Sequence, residues 1–92
     1  MLFRSAFVDL FIESLGDAAV KHGLNRQTAY KLISQMVSGT GKLQLESDKH
    51  PGVLKDEITS PGGTTIKGVS ALEKNNFRGA IIEAVDNILT KP

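Results

Sequence analysis

Between Phe3 and Ala19 apolar residues recur at helical spacing: Phe3, Phe7, Leu10, Phe11, Leu15, Ala18 and Ala19, with Val8 and Ile12 widening the stripe. Only Asp9, Glu13 and Asp17 form a clear polar line. A face this wide exceeds what one neighbouring helix covers. The segment therefore either lies in the middle of a bundle or is covered on one side by a second chain. Chain length sharpens that choice. With 92 residues there is room for one small domain. A domain of this size buries only ~60–65% of its unfolded surface, so it leans on a partner subunit, a metal or disulfides.

The chain has no cysteine. That excludes disulfides, zinc fingers, Cys–His nucleophiles and thiol redox chemistry, and it fits a cytoplasmic origin. Eleven basic and ten acidic residues give a net charge of +1. The basic residues, from Arg4 to Lys91, are scattered rather than blocked, so neither a nucleic-acid partner nor a membrane-surface helix is expected. No apolar run reaches the ~18 residues of a membrane span. Asp9 and Glu13 interrupt the segment from Ala6 to Leu15, so it is not a signal-peptide core either.

The rest of the chain reads as helix throughout, giving an all-α fold. Gly23 suits a helix stop, and Asn25 the next N-cap. A second helix is expected from Arg26, burying Ala29, Leu32, Ile33, Met36 and Val37 and fading by Ser47 or Asp48. Ser38-Gly39-Thr40-Gly41 interrupts it with poor helix formers, as a kink or a place where another backbone comes close. His50-Pro51-Gly52 reads as a break, and Val53–Ile58 as a single helical turn. Ser60-Pro61 is expected to open a third helix, with Ser60 as N-cap and Pro61 at the first helical position. Ile66, Val69 and Leu72 form its apolar face. Asn75 is expected to cap a last helix with Phe77, Ile81, Ala84, Val85 and Ile88 buried.

The stretch Thr59-Ser60-Pro61-Gly62-Gly63-Thr64-Thr65 is the most informative for chemistry. A helix N-terminus offers free backbone N–H groups and a partial positive charge. Two adjacent glycines weaken a first turn by ~1 kcal/mol each relative to alanine, but they let a ligand approach the backbone. Ser60, Thr64 and Thr65 add hydroxyls around the same opening. The pattern suits a small carboxylate or phosphate; the plainer alternative is an ordinary capped helix start with a flexible first turn.

Other candidates are weaker. Ser38-Gly39-Thr40-Gly41-Lys42-Leu43 lacks the first glycine and the final Ser/Thr of a phosphate loop, and no strand precedes it; it reads as a tightly packed helix crossing. No G-x-G-x-x-G is present, hence no dinucleotide fingerprint. His22 and His50 match no metal-site spacing, so no metal is expected. His22 falls in the last turn of the first helix, where an imidazolium favours the dipole.

The run His50-Pro51-Gly52-Val53-Leu54-Lys55-Asp56-Glu57-Ile58-Thr59-Ser60-Pro61-Gly62-Gly63-Thr64-Thr65-Ile66 is similar to the signature of the pyrroline-5-carboxylate reductase family. The likeness continues through Gly68, Ala71-Leu72-Glu73-Lys74 and Phe77-Arg78-Gly79-Ala80. Phe11 through Val20 and Leu24 through Met36 also resemble that family's C-terminal dimerisation domain. The resemblance covers the chain from about Ala6 to Lys91.

That resemblance implies a helical domain that interlocks with a second copy, as a homodimer or a ring of dimers. It implies reduction of 1-pyrroline-5-carboxylate to L-proline with NADPH or NADH. The substrate would meet Ser60, Gly62, Gly63, Thr64 and Thr65 at the interface, with backbone and hydroxyls on the carboxylate. Thr65, the second threonine of S-P-G-G-x-T, would hydrogen-bond near the ring nitrogen as the catalytic contact.

Two departures accompany it. The family's Rossmann cofactor domain has no counterpart here, so this chain is expected to bind no nicotinamide and to be inactive alone. The family's S-G-x-G-P-A-Y junction motif is replaced by Met1 through Phe7, where only Ala6 and Phe7 correspond. Residues 1–5 thus read as a non-family start, a cloning remnant or a truncated junction, and 6–92 as the helical dimerisation and substrate-binding domain. Asp9 also stands where the family is often apolar. A free-standing helical oligomerisation module without a ligand is the rival reading. The tail of a β-hydroxyacid-type dehydrogenase is a further one, against which the S-P-G-G-T-T run argues.

Overall fold

The computed structural model describes residues 5–89. The expectations for Met1–Arg4, including Phe3 and the charge on Arg4, lie outside the described residues, as does Lys91. All elements among the described residues are helices: α1 (Ser5–Lys21), α2 (Arg26–Ser47), α3 (Pro51–Glu57), α4 (Thr64–Lys74) and α5 (Phe77–Leu89). None is long and apolar enough to cross a membrane. The chain divides between Asp48 and Lys49 into two compact units.

In the first unit α1 packs against α2 across a short connection. Gly23 adopts φ +98°, a left-handed conformation that costs glycine little. Leu24 N–H then bonds back to Ala19 C=O at 2.9 Å, and Gly23 N–H to Val20 C=O at 3.0 Å. This pair of bonds is the Schellman closure of a helix C-terminus. Asn25 caps α2, its side chain accepting from Thr28 N–H at 3.1 Å. Both boundaries fall where the sequence places them.

The helices meet at small residues. Gly16 and Ala29 are buried, and the Tyr30 ring occupies the space beside Gly16. At the rim Arg26 donates to Asp17 at 2.7 Å and to the Tyr30 hydroxyl at 2.9 Å. The Asp17 carboxylate first, and then the Tyr30 hydroxyl, hold the Arg26 guanidinium above its ordinary pKa. The pair is exposed, so it ties the rim together without adding much stability. A shallow groove lined by Ala6, Asp9, Leu10, Ile12, Glu13 and Tyr30 runs along this unit.

Ser38–Gly41 behaves differently from expectation. α2 runs through it without interruption to the left-handed C-cap Asp48 (φ 55°). A β-carbon on Gly39 or Gly41 would meet nothing within 4 Å, so no described backbone crosses there. The helix continues because backbone hydrogen bonds propagate through weak formers once both flanks are helical.

In the second unit α3 starts at Pro51 and spans seven residues rather than a single turn. Pro51 takes the first helical position and the His50 imidazole caps it. Asn75 does not cap α5 as expected. It closes α4, its backbone N–H reaching the Ala71 carbonyl at 3.2 Å and its side-chain Nδ2 the same carbonyl at 2.8 Å. Asn76, at φ 60°, makes the turn into α5, and its carbonyl accepts from Ala80 N–H at 2.9 Å. The side chain of Asn76 lies over Gly79, where a β-carbon would collide with it. Glu73 and Arg78 pair across this junction at 2.9 Å.

Large apolar side chains remain on the surface. Leu10 is 63% exposed, Leu45 84%, Ile58 72% and Ile82 61%, and Ala29 is the only buried hydrophobic residue among those described. On α1, Phe7, Ile12 and Leu15 are half-buried while Val8, Leu10 and Phe11 stay exposed. α2 thus covers one part of the wide stripe and leaves the rest open.

Candidate functional site

The glycine-rich segment between α3 and α4 is built from local hydrogen bonds. Gly63 N–H donates to Ser60 C=O at 3.0 Å, closing a four-residue turn over Ser60-Pro61-Gly62-Gly63. Gly62 has φ +70°. Proline followed by a residue at positive φ is the pattern of a type II turn, which only glycine adopts readily at that position. Ser60 and Pro61 therefore belong to the turn and do not open the helix. The N-cap of α4 is Gly63 (φ −77°, ψ 174°), and Thr64 is the first helical residue.

This shift changes the basis of the site. The glycines do not weaken a first helical turn, because both precede it. Gly62 supplies the backbone conformation, and Gly63 supplies space. A β-carbon on Gly63 would meet the Ser60 hydroxyl at 2.5 Å and the Ser60 carbonyl at 3.2 Å. Gly63 has no side chain to cap the helix, and no side-chain capping bond is made. The backbone N–H groups of Thr64, Thr65 and Ile66 thus begin α4 with neither an intrahelical partner nor a side-chain cap. The positive end of the helix dipole adds to them.

The structure brings Ser60, Gly62, Gly63, Thr64 and Thr65 together within this turn and the first two residues of α4. Ser60, Thr64 and Thr65 are exposed and Gly63 is half-buried. The arrangement can receive a small anion end-on, with hydroxyls beside it. Thr59, just before the turn, bonds back to α3: its hydroxyl donates to Lys55 C=O at 3.0 Å. Sequence reasoning gave Thr59 no role. A threonine two residues past a helix end can make such a bond, but only the structure shows that it does.

His50 and His22 lie away from any metal-binding cluster; no group of three or more metal-ligating side chains forms among the described residues. His50 instead accepts from Gly52 N–H through Nδ1 at 2.9 Å. His22 follows the end of α1. A second groove, bordered by Lys55, Val69, Leu72, Glu73, Phe77 and Arg78, is largely apolar and does not include the turn.

Comparison with known proteins agrees with this architecture. The family profile described as pyrroline-5-carboxylate reductase dimerisation matches residues 4–91. The chain is 50% identical over 86 residues to a pyrroline-5-carboxylate reductase of Escherichia coli, covering 94% of this chain and 32% of that protein. It is 56% identical over 80 residues to that of Synechocystis, covering 87% of this chain and 30% of that protein. Among solved structures, a Plasmodium falciparum pyrroline carboxylate reductase with NADP bound superimposes with a TM-score of 0.88 at 44% identity. That match covers 90% of this chain and 32% of the other. A pyrroline-5-carboxylate reductase from Coxiella burnetii gives 0.86 at 36% identity, covering 90% and 31%. The chain spans about a third of the length of these relatives. On the extent of these matches, the chain belongs to the pyrroline-5-carboxylate reductase dimerisation family.

Proposed function

We propose that this chain forms a homodimer and supplies the substrate-holding half of a pyrroline-5-carboxylate reductase site. In that reaction hydride from NADPH or NADH adds to the carbon of the C=N bond, a proton reaches the nitrogen, and L-proline results. The observation that carries the reading is the Ser60–Gly63 turn, which leaves the Thr64, Thr65 and Ile66 amides open at the start of α4. The substrate carboxylate sits on those amides. The Ser60 and Thr64 hydroxyls flank it, and the Thr65 hydroxyl bonds near the ring nitrogen.

Residues 5–89 contain no strand–turn–helix frame of the kind that cradles a dinucleotide phosphate. In this proposal the nucleotide of the hydride donor is held by residues other than those of the turn. The homodimer follows from the exposed apolar faces of both units, which a second copy covers. A cytoplasmic setting accords with a chain that has no cysteine.

The test is an NMR titration of the chain with L-proline. Saturable shifts of the Gly63, Thr64, Thr65 and Ile66 amides are expected. Thr65→Ala should weaken binding about five- to tenfold with helix content unchanged. A folded chain whose α4 amides do not respond would instead be an oligomerisation module without a ligand.

A further inference from the structure

His50 has no part in the proposed substrate contacts, yet its imidazole is fitted to the start of α3. Nδ1 accepts from Gly52 N–H at 2.9 Å. A β-carbon on Gly52 would meet Nδ1 at 3.0 Å and Cε1 at 3.3 Å, so the absence of a side chain lets the ring approach. Pro51, at the first helical position, has no N–H to satisfy. The Gly52 amide is therefore the first donor of α3 in need of an acceptor, and His50 provides it.

The other end of α3 is bonded to Thr59, the residue before the turn. Ile58 N–H donates to Lys55 C=O at 3.2 Å and Thr59 N–H to Asp56 C=O at 3.3 Å. The Thr59 hydroxyl donates to Lys55 C=O at 3.0 Å. Ser60, the first residue of the turn, follows directly. A helix of seven residues is unstable by itself, so its order depends on what holds its ends.

We propose that His50 is a positioning residue: its neutral imidazole caps α3, α3 holds Thr59 and the Ser60–Gly63 turn, and protonation of His50 loosens the turn and weakens carboxylate binding. The proposal rests on the reading of that turn as the substrate site. Its chemistry is specific to the imidazole. Neutral Nδ1 accepts a hydrogen bond, whereas protonated Nδ1 is a donor facing the Gly52 donor. An imidazolium there also opposes the positive end of the helix dipole. The cap therefore requires the neutral imidazole and is lost on protonation.

The charged groups beside His50 in the chain and on α3 are held in other pairs or caps. Lys49, directly before it, is held by Glu57 at 2.9 Å. Lys55 and Asp56 face one another at 3.4 Å on α3. Asp48, two residues earlier, is the C-cap of α2. None of the ion pairs among the described residues includes the imidazole, which is exposed to solvent protons.

The experiment follows the chain by NMR from about pH 7.5 to 5.5, with and without L-proline, in wild type, His50→Asn, His50→Ala and His22→Asn. Asparagine is a strong N-cap that does not titrate. His50→Asn should bind L-proline as wild type does at the upper pH and keep that affinity on acidification. Wild type and His22→Asn should lose about three- to tenfold over the same range, and His50→Ala should be weakened by that factor throughout. The Ser60, Gly62 and Gly63 amides should move with the His50 titration even without L-proline. If wild type binds no L-proline at any pH but these amides still follow His50, the coupling stands and the substrate reading fails. The proposal is overturned if His50→Asn loses affinity on acidification as wild type does, or if the turn amides ignore the His50 titration.

Discussion

The ring of Tyr30 on α2 fills the space that a side chain on Gly16 of α1 would need. Gly16 is buried and Tyr30 half-buried, so the ring cannot simply swing into solvent without uncovering the junction of the two helices. Helix propensity alone would make Gly16→Ala stabilising by ~1 kcal/mol. Overpacking against Tyr30 opposes this and is worth about 1–3 kcal/mol. Urea unfolding at fixed protein concentration should therefore show Gly16→Ala to be less stable than wild type. Adding Tyr30→Ala should recover part of the loss, because the two changes share one space. A Gly16→Ala variant more stable than wild type would mean that the ring yields freely.

Asn25 fixes where α2 begins. Its side chain accepts from Thr28 N–H at 3.1 Å. Asn25→Ala should lower stability by about 1 kcal/mol, and Asn25→Asp should retain most of it. The shift of the urea midpoint at constant slope is the measurement. Equal midpoints for Ala and Asp would show that water satisfies the Thr28 amide as well as Asn25 does.

The two glycines of the turn should fail in different ways. At Gly62, φ +70° penalises any side chain although the space is open. Gly62→Ala should lose about 1–2 kcal/mol of stability. At Gly63 the backbone is ordinary but the β-carbon meets the Ser60 hydroxyl and carbonyl. Gly63→Val should abolish binding of L-proline while circular dichroism shows the helices intact. Unchanged binding in an intact Gly63→Val variant would remove the turn from the proposed site.

Leu10 and Ile82, 63% and 61% exposed, belong to apolar faces that the proposed homodimer covers. Light scattering over a dilution series should give the mass of a dimer or a multiple of it. Leu10→Glu or Ile82→Glu should raise the dissociation constant at least about tenfold, since burying one such side chain is worth ~1.5–3 kcal/mol. A folded monomer at every concentration would contradict the homodimer.

Much of the secondary structure follows from neighbours in sequence. Gly23 and Asn25 mark the α1–α2 connection because stopping and starting signals at that spacing admit one arrangement. Pro61 satisfies two rules at once: first residue of a helix, or second residue of a type II turn. Both need proline's φ, so residue types alone do not separate them. The positive φ of Gly62 and the Gly63–Ser60 hydrogen bond do. Asn75 and Asn76 present the same ambiguity, resolved by which of them bonds back to Ala71.

Local chemistry in the chain thus settled the all-helical class and the α2 boundaries, because caps, breaks and periodicity act within a few residues. Three-dimensional packing decided the rest. Gly16 matters only because Tyr30, fourteen positions later, lies against it. Gly39 and Gly41 attract no neighbour among the described residues, although their composition suggests one. The orientation of the His50 ring toward Gly52 likewise depends on atoms in space. Contacts of this kind are set by which surfaces meet, and a pattern of residue types along the chain does not specify that.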